Sequence, residues 1–336
     1  VPDHEIIHVD SARLNQQIPV PVKRDAVIND PRIFESSGKA EAWFNASTAI
    51  INGKRIMVYR VEARPYFRFP QLAFVELDEH WQPIESTNKL LDLRTPTGKV
   101  VAEDPRLFKI GNQWHMAYTD SWNQAVCDLD DNLNVSNIRW INYPLYSQSQ
   151  VPQKNWTFFE CNGEMIVVKH ILPHNTGSLI NGHYLTRYVF VSNQWSIHRI
   201  PWRFGQMRGG ACPVLHDGLM WSFFHSHTLI SDPKWLRAEM TRTPWWRSKA
   251  FRQYHIGIYV FEPTPPFKVV GLTRSPILSA PIREPAGPIR PSLHRVVFPC
   301  SAIREQNSWL VTMGWNDSQI KHVRFKDSDI NIQPIQ

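Results

Sequence analysis

Residues 103–120 read EDPRLFKIGNQWHMAYTD, and their pattern recurs four more times in a chain of 336 residues. An apolar run leads into a tight polar turn, and a second run ends in polar or aromatic residues. The other copies are FNASTAIINGKRIMVYR from Phe44, NWTFFECNGEMIVVKH from Asn155, GGACPVLHDGLMWSFFH from Gly209 and VVFPCSAIREQNSWLVTMGW from Val296. The pairs Asn52-Gly53, Gly111-Asn112, Asn162-Gly163 and Asp217-Gly218 suit hairpins, whose two-residue loops need residues that accept positive φ. The fifth copy has a longer turn. Helical periodicity is nearly absent, and short apolar runs bounded by Gly, Asn, Asp and Pro dominate, so the expected class is all-β.

The copies begin roughly 50 to 90 residues apart. That spacing leaves room for two further strands in each, such as QLAFVELDEHW from Gln71 and HYLTRYVFVSNQWSIHRI from His183. Four strands in each of five units describe a five-bladed β-propeller. The chain then forms one domain over 1–336, with hairpins starting near 44, 103, 155, 209 and 296 and an N-terminal extension over 1–40. A β-sandwich with accidentally similar hairpins is the competing arrangement.

The first strand of each propeller blade lines the central channel. The repeat therefore gathers Asn45, Asp104, Lys154, Arg208 and Phe298 at one mouth. It adds the second-strand ends Tyr59, Arg60, Asp120, Lys169, His170 and His225. Glu103, Asp104 and Arg106 read in two ways. They form a local turn in which Asp104 caps amides and Arg106 pairs with Glu103, or Asp104 faces a pocket as a proton donor. Nearby Arg60, Arg106, Lys154 and Arg208 would lower its pKa. A general acid there needs desolvation, a neighbouring carboxylate or a proton relay.

Other candidates divide the same way. His174, in LPHNTG, is a hydroxyl or phosphate contact or a loop histidine. His225, Tyr254 and His255 close the pocket or pack. Trp43 and Trp315 stack on sugar or belong to the core. The formal charge of +7 favours an anionic partner. The excursion from Ser231 to Gln253 carries Lys234, Arg237, Arg242, Arg247, Lys249 and Arg252 among Trp235, Trp245 and Trp246. It suits a lid over an anionic ligand such as phosphate or a nucleotide diphosphate, a surface for nucleic acid or membrane, or a contact in a homo-oligomer; a solvated loop anchored by tryptophan is the plain alternative. No nucleic-acid partner and no cofactor are expected. Four scattered cysteines without a CxxC pair suggest reduced thiols in a cytoplasmic protein and no zinc site. The opening VPDHEIIHVD does not read as a signal peptide. Walker, GxGxxG, GxSxG and HExxH patterns are missing, which removes those enzyme classes.

Taken in order, the five repeats and YHIGIYVFEPTPPFKVVGLTRSPIL (254–278) resemble glycoside hydrolase family 130, the β-mannoside phosphorylases, from about residue 40 to 320. The chain looks like an outlying member. The resemblance implies a five-bladed propeller with its site in the central funnel and an inverting reaction at a β-mannosidic bond. It implies Asp104 as the acid, acting through a sugar hydroxyl, and inorganic phosphate as the attacking co-substrate. Arg60, Lys154 and His225 match or adjoin the family's anion and sugar contacts, and Arg208 belongs to the RGG of its outlying relatives. Asn45, Arg106, His174 and Tyr254 complete the expected contact set for an oligosaccharide or glycan. The stretches SWNQAVCDLDDNLNV (121–135) and YPLYSQSQVPQ (143–153) lack the arginines that phosphorylases usually carry there. That departure keeps open an inverting glycosyltransferase using a sugar nucleotide or sugar phosphate. A non-catalytic glycan-binding propeller is the third reading. For hydrolysis, Glu160 and Glu262 are the nearest candidate bases.

Overall fold

The computed structural model describes residues 4–14, 17–20, 36–63, 70–93, 101–120, 123–141, 154–180, 183–190, 202–230, 251–282, 284 and 294–335. These residues are all-β in a propeller arrangement, with helix limited to short 3-10 turns. Among them, no helix is long and apolar enough to cross a membrane.

The strands form five sheets. The first joins β2 (Gln17–Val20), β3 (Ser36–Ile51), β4 (Lys54–Ala63), β5 (Gln71–Leu77) and β6 (Lys89–Leu90). The second is a meander of β7 (Glu103–Ile110), β8 (Gln113–Thr119), β9 (Gln124–Leu129) and β10 (Val135–Trp140). The third runs through β11 (Thr157–Cys161), β12 (Glu164–His170), β13 (His174–Ile180) and β14 (His183–Phe190). The fourth holds β15 (Arg208–Gly209) and β16 (Val214–His216), both on β17 (Leu219–Ile230), then β18 (Phe251–Phe261), β19 (Val269–Thr273) and β24 (Ile332–Pro334), with β20 (Leu278–Ser279) on β18. The fifth joins β21 (Val297–Arg304), β22 (Ser308–Trp315), β23 (Gln319–Lys326) and β1 (Glu5–His8).

The expectation of equal four-stranded units is met by three sheets; the first has five strands and the fourth has seven. The fourth hairpin also departs from its plan. Its first arm breaks into β15 and β16, because Pro213 supplies no amide to a ladder. The stretch before residue 40 was expected to lie outside the repeat. Instead β1 pairs with β23, Glu5 opposite Arg324, and β2 extends the first sheet along β3.

Contacts run from β3 to β7, β7 to β11, β12 to β15, β17 to β21, and β21 back to β3, so each sheet touches the next and the last meets the first. Each sheet is thus covered on both faces, which explains why its central strands read as continuous apolar runs. In β4, Ile56 and Val58 pack towards the second sheet with Leu107 and Met116. Their neighbours Met57, Tyr59 and Val61 pack towards the fifth sheet with Leu310 and Ile320. In the fourth sheet, Phe223 faces Trp309 and Phe325 of the fifth, while Phe224 faces the cluster of Phe159 and Ile166 in the third.

Inner strands of neighbouring sheets share no ladder, so side chains stitch them. Ser47 Oγ accepts from the Leu107 amide at 2.9 Å, Ser301 Oγ accepts from the Thr48 amide at 2.7 Å, and Arg106 Nε donates to the Gly210 carbonyl at 2.7 Å. Trp309, 1% exposed, is the largest fully buried side chain among the described residues, and its ring lies 5.6 Å from those of Trp221 and Phe223. Trp309→Ala should destabilise the protein by about 3–5 kcal/mol, read as a lower denaturant midpoint. A change below about 1 kcal/mol would show that this interface does not support the ring.

Candidate active site

The site begins with a backbone irregularity. Ladder register shifts between Phe44 and Ser47 in β3, between Glu103 and Arg106 in β7, and between Pro299 and Ser301 in β21. Such bulges bend a strand and re-aim its side chains. Asn45, Asp104 and Asn155 take positive φ of 49°, 54° and 66°. Asn and Asp are the non-glycine residues that best tolerate this left-handed region. The shifts place Asn45 Nδ2 2.7 Å from Asp104 Oδ1, as donor to the carboxylate. Gly314 makes room, since a Cβ there would stand 1.9 Å from Asn45 Oδ1.

Asp104, 7% exposed, belongs to a buried ion network. Arg60 Nη1 donates to Glu103 Oε2 at 3.0 Å and to Asp104 Oδ1 at 3.4 Å, and its Nη2 donates to Glu62. The guanidinium also lies 4.8 Å over the Phe44 ring. Lys154 Nζ donates to the same Glu103 oxygen at 2.9 Å. Burial alone would push the Asp104 carboxyl up. The charges of Arg60, Lys154 and Arg106 and the Asn45 bond outweigh it, and hold the carboxyl below its ordinary value. For Arg60, burial favours the neutral form, but Glu103, Glu62, Asp104 and Asp317 raise its pKa.

Neither half of the local-turn reading describes Glu103–Arg106. Arg106 does not pair with Glu103; its Nη1 donates to the Asp104 carbonyl at 3.0 Å, and its guanidinium lies 5.5 Å from the Phe298 ring centre. Asp104 takes side-chain donors instead of capping a turn. Phe298 also meets the His225 ring edge-on at 4.7 Å. His225 stacks on Tyr254 at 5.8 Å and stands opposite Arg208 in the ladder. Burial first, then Arg208, Arg106 and His227, push the His225 pKa down to about 3 against a weaker pull from Asp104. The ring is therefore neutral, and its buried Nδ1 has no hydrogen-bond partner within the described structure. Arg208 is exposed, and its Nη2 donates to Gln206 at 3.4 Å.

Contacts thus link Asn45, Arg60, Asp104, Arg106, Lys154, Arg208, His225 and Tyr254. His174 does not join them. It is fully buried, with Nδ1 2.7 Å from the Phe267 carbonyl and its ring against Tyr259 and Phe261. Tyr59 points into the core between the first and fifth sheets and donates to Asn88 at 2.6 Å. Trp315 is core, with Nε1 donating to Glu284 at 2.8 Å, and Trp43 packs on the core beside Leu14. His255 is held by Thr228 and Ser279. Glu160 accepts the Gly111 amide at 2.6 Å near the far end of β11, and Glu262 follows the far end of β18. Neither stands near Asp104 as a base. The basic residues of the excursion up to 250 lie outside the described residues. Sequence reading missed Glu62 and Asp317. Glu62 follows Arg60 by two, so alternation along β4 put it on the same face. Asp317, which acts on Arg60 and Tyr254, sits in a turn that nothing local distinguishes.

Arg60→Met would remove the cation that Glu62, Glu103 and Asp104 share, at a cost of about 3–5 kcal/mol near neutral pH. Asp104, whose carboxyl is held low, contributes stability that is fully present above about pH 3.9 and lost as pH falls through its folded value. The wild-type lead over the variant should therefore narrow on acidification. A pH-independent difference in urea midpoints would contradict the network.

No protein-family model and no curated sequence matches the chain. Solved structures do. A β-1,2-mannobiose phosphorylase from Listeria innocua, in complex with β-1,2-mannobiose, superposes with a TM-score of 0.55 at 15% identity, over 97% of this chain and 98% of that one. A mannose phosphorylase from Leishmania mexicana, in complex with phosphate ion, gives 0.52 at 14% identity, over 87% of each chain. A structure reported for glycoside hydrolases of family 130 that target β-1,2-mannosidic linkages in Candida mannan gives 0.60 at 11% identity, over 98% of this chain and 97% of that one. At such identities the likeness is one of fold: the chain folds as these mannoside phosphorylases and glycoside hydrolases do.

Proposed function

We propose that the chain is a five-bladed propeller enzyme that cleaves β-mannoside-like bonds with inversion, by phosphorolysis, with Asp104 as general acid. Five mutually packed sheets support the blade count. One observation carries the chemistry: a buried carboxylate, Asp104, at the start of an inner strand, fixed by Asn45 and surrounded by Arg60, Lys154 and Arg106. In the free protein this carboxyl is ionised. A phosphate dianion entering beside it would offset those cations and raise its pKa, so uptake of the catalytic proton is coupled to binding of the nucleophile.

The reaction then runs through a relay. Asp104 protonates a sugar hydroxyl, which passes its own proton to the glycosidic oxygen. That bond breaks as a phosphate oxygen attacks the anomeric carbon from the opposite face. The products are an α-sugar 1-phosphate and a free sugar. Arg60 and Lys154 are occupied by Glu103, so they set the charge of the acid, while Arg208, His225 and Tyr254 hold the anion. Attack by an anion needs no base, which fits the distance in the fold between Asp104 and both Glu160 and Glu262. Glycosyl transfer from a sugar nucleotide is the second reading. It is favoured by the arginine-free stretches 121–135 and 143–153.

The test is phosphorus NMR of the protein with β-1,2-mannobiose and inorganic phosphate. The expected product is α-mannose 1-phosphate, formed about 10²- to 10⁴-fold more slowly by Asp104→Asn. Near-wild-type turnover by that variant would remove Asp104 as the acid. Product formed only from a nucleotide-activated sugar would favour transfer, and glycan binding without product would favour a lectin.

A further inference from the structure

The inner strands build a second concavity. All five line it, through Ile50, Leu107, Phe158, Leu215 and Ile303, and Trp114 joins them. Along the inner arm of each repeat these residues come after the residue placed at the candidate site: Ile50 after Asn45, Leu107 after Asp104, Phe158 after Lys154, Leu215 after Arg208, Ile303 after Phe298. The cavity therefore opens at the opposite end of the channel. Between the two ends lie the stitches from Ser47 to Leu107, from Thr48 to Ser301 and from Arg106 to Gly210.

Its volume is about 620 Å³, within the range of roughly 300–1,000 Å³ that small-molecule sites occupy. Its walls are mainly hydrocarbon. Two of the six exposed large hydrophobic residues among the described ones, Ile50 at 48% and Leu215 at 61%, stand at this one opening. Apolar side chains gathered around a concave mouth are the usual mark of a ligand site. The charged groups of the rim are not equivalent. Arg304 is committed to Asp327, at 2.5 and 2.7 Å, and Glu160 to the Gly111 amide. Lys109 is exposed and has no ion pair among the described residues.

We propose that this cavity binds an amphiphile, an apolar chain or ring system carrying one anionic head, with the apolar body among Leu107, Phe158 and Leu215 and the head at Lys109. It is a separate site from the funnel around Asp104 and does not depend on the reaction proposed there. The class follows from the lining: a neutral sugar would find few hydrogen-bonding groups, and a polyanion only one free cation.

The test uses 8-anilinonaphthalene-1-sulfonate as probe on the full chain, with Trp114 as an energy donor to the bound dye. Decanoate and decanol serve as competitors that share a body and differ in the head. Saturable one-to-one binding is expected, with decanoate the stronger competitor. Leu215→Asp should weaken the probe by about tenfold or more, and Lys109→Gln should remove most of the advantage of decanoate over decanol. Both positions are exposed, and circular dichroism confirms the fold of each variant. Unsaturable dye binding, or titrations unchanged in both variants, would overturn the proposal. So would sedimentation showing that wild type dimerises and Leu215→Asp does not, with no probe bound by either, because the mouth would then be covered by a second copy.

Discussion

Arg60 has to satisfy Glu62, Glu103 and Asp104 at once, and the arrangement of the channel mouth follows from that demand. The three carboxylates come from the first and second sheets, and all are buried. One guanidinium with donors on several edges can reach both strands; an ammonium, with its donors on one atom, cannot span them as well. Lys154, just ahead of β11 in the third sheet, then closes on Glu103, so one charge network ties the first three sheets together. The network fixes the position of Asp104 and keeps it ionised in the absence of ligand.

The same geometry divides the channel in two. Inner strands have no ladder to each other, so their approach must be stabilised by side chains, and those contacts are short and polar in the middle of the strands. Towards one end, the bulges at Asn45 and Asp104 turn polar groups inward. Towards the other, regular alternation resumes and apolar side chains line the opening. One set of strands thus presents charge at one mouth and hydrocarbon at the other.

How much of this the sequence revealed depended on how local each cause was. The hairpins were legible because Asn52-Gly53, Asn162-Gly163 and Asp217-Gly218 do adopt paired positive φ. The gathering of Asp104, Lys154 and Arg208 followed from repeat position alone. The pairing of β1 with β23 was hidden, because it joins residues more than 300 apart and no local pattern announces it. For Arg106, proximity in sequence offered Glu103 as one partner, while the bulge turns it towards Gly210. His174 was misplaced because LPHNTG has the composition of a loop, although His174 begins a buried strand. The sign of the Asp104 shift was readable, because Arg106, Lys154 and Arg208 fall at repeat starts and Arg60 at a second-strand end, but the role of Asn45 as its hydrogen-bond donor required the fold.

The central claim is that the mouth around Asp104 is an anion-assisted glycoside site. Crystals soaked with inorganic phosphate, mannose and a nucleoside diphosphate would test it most directly. The account predicts phosphate bound beside Arg208, His225 and Tyr254, with mannose between it and Asp104. An empty mouth with phosphate bound elsewhere, or a nucleoside diphosphate alone in the funnel, would contradict it.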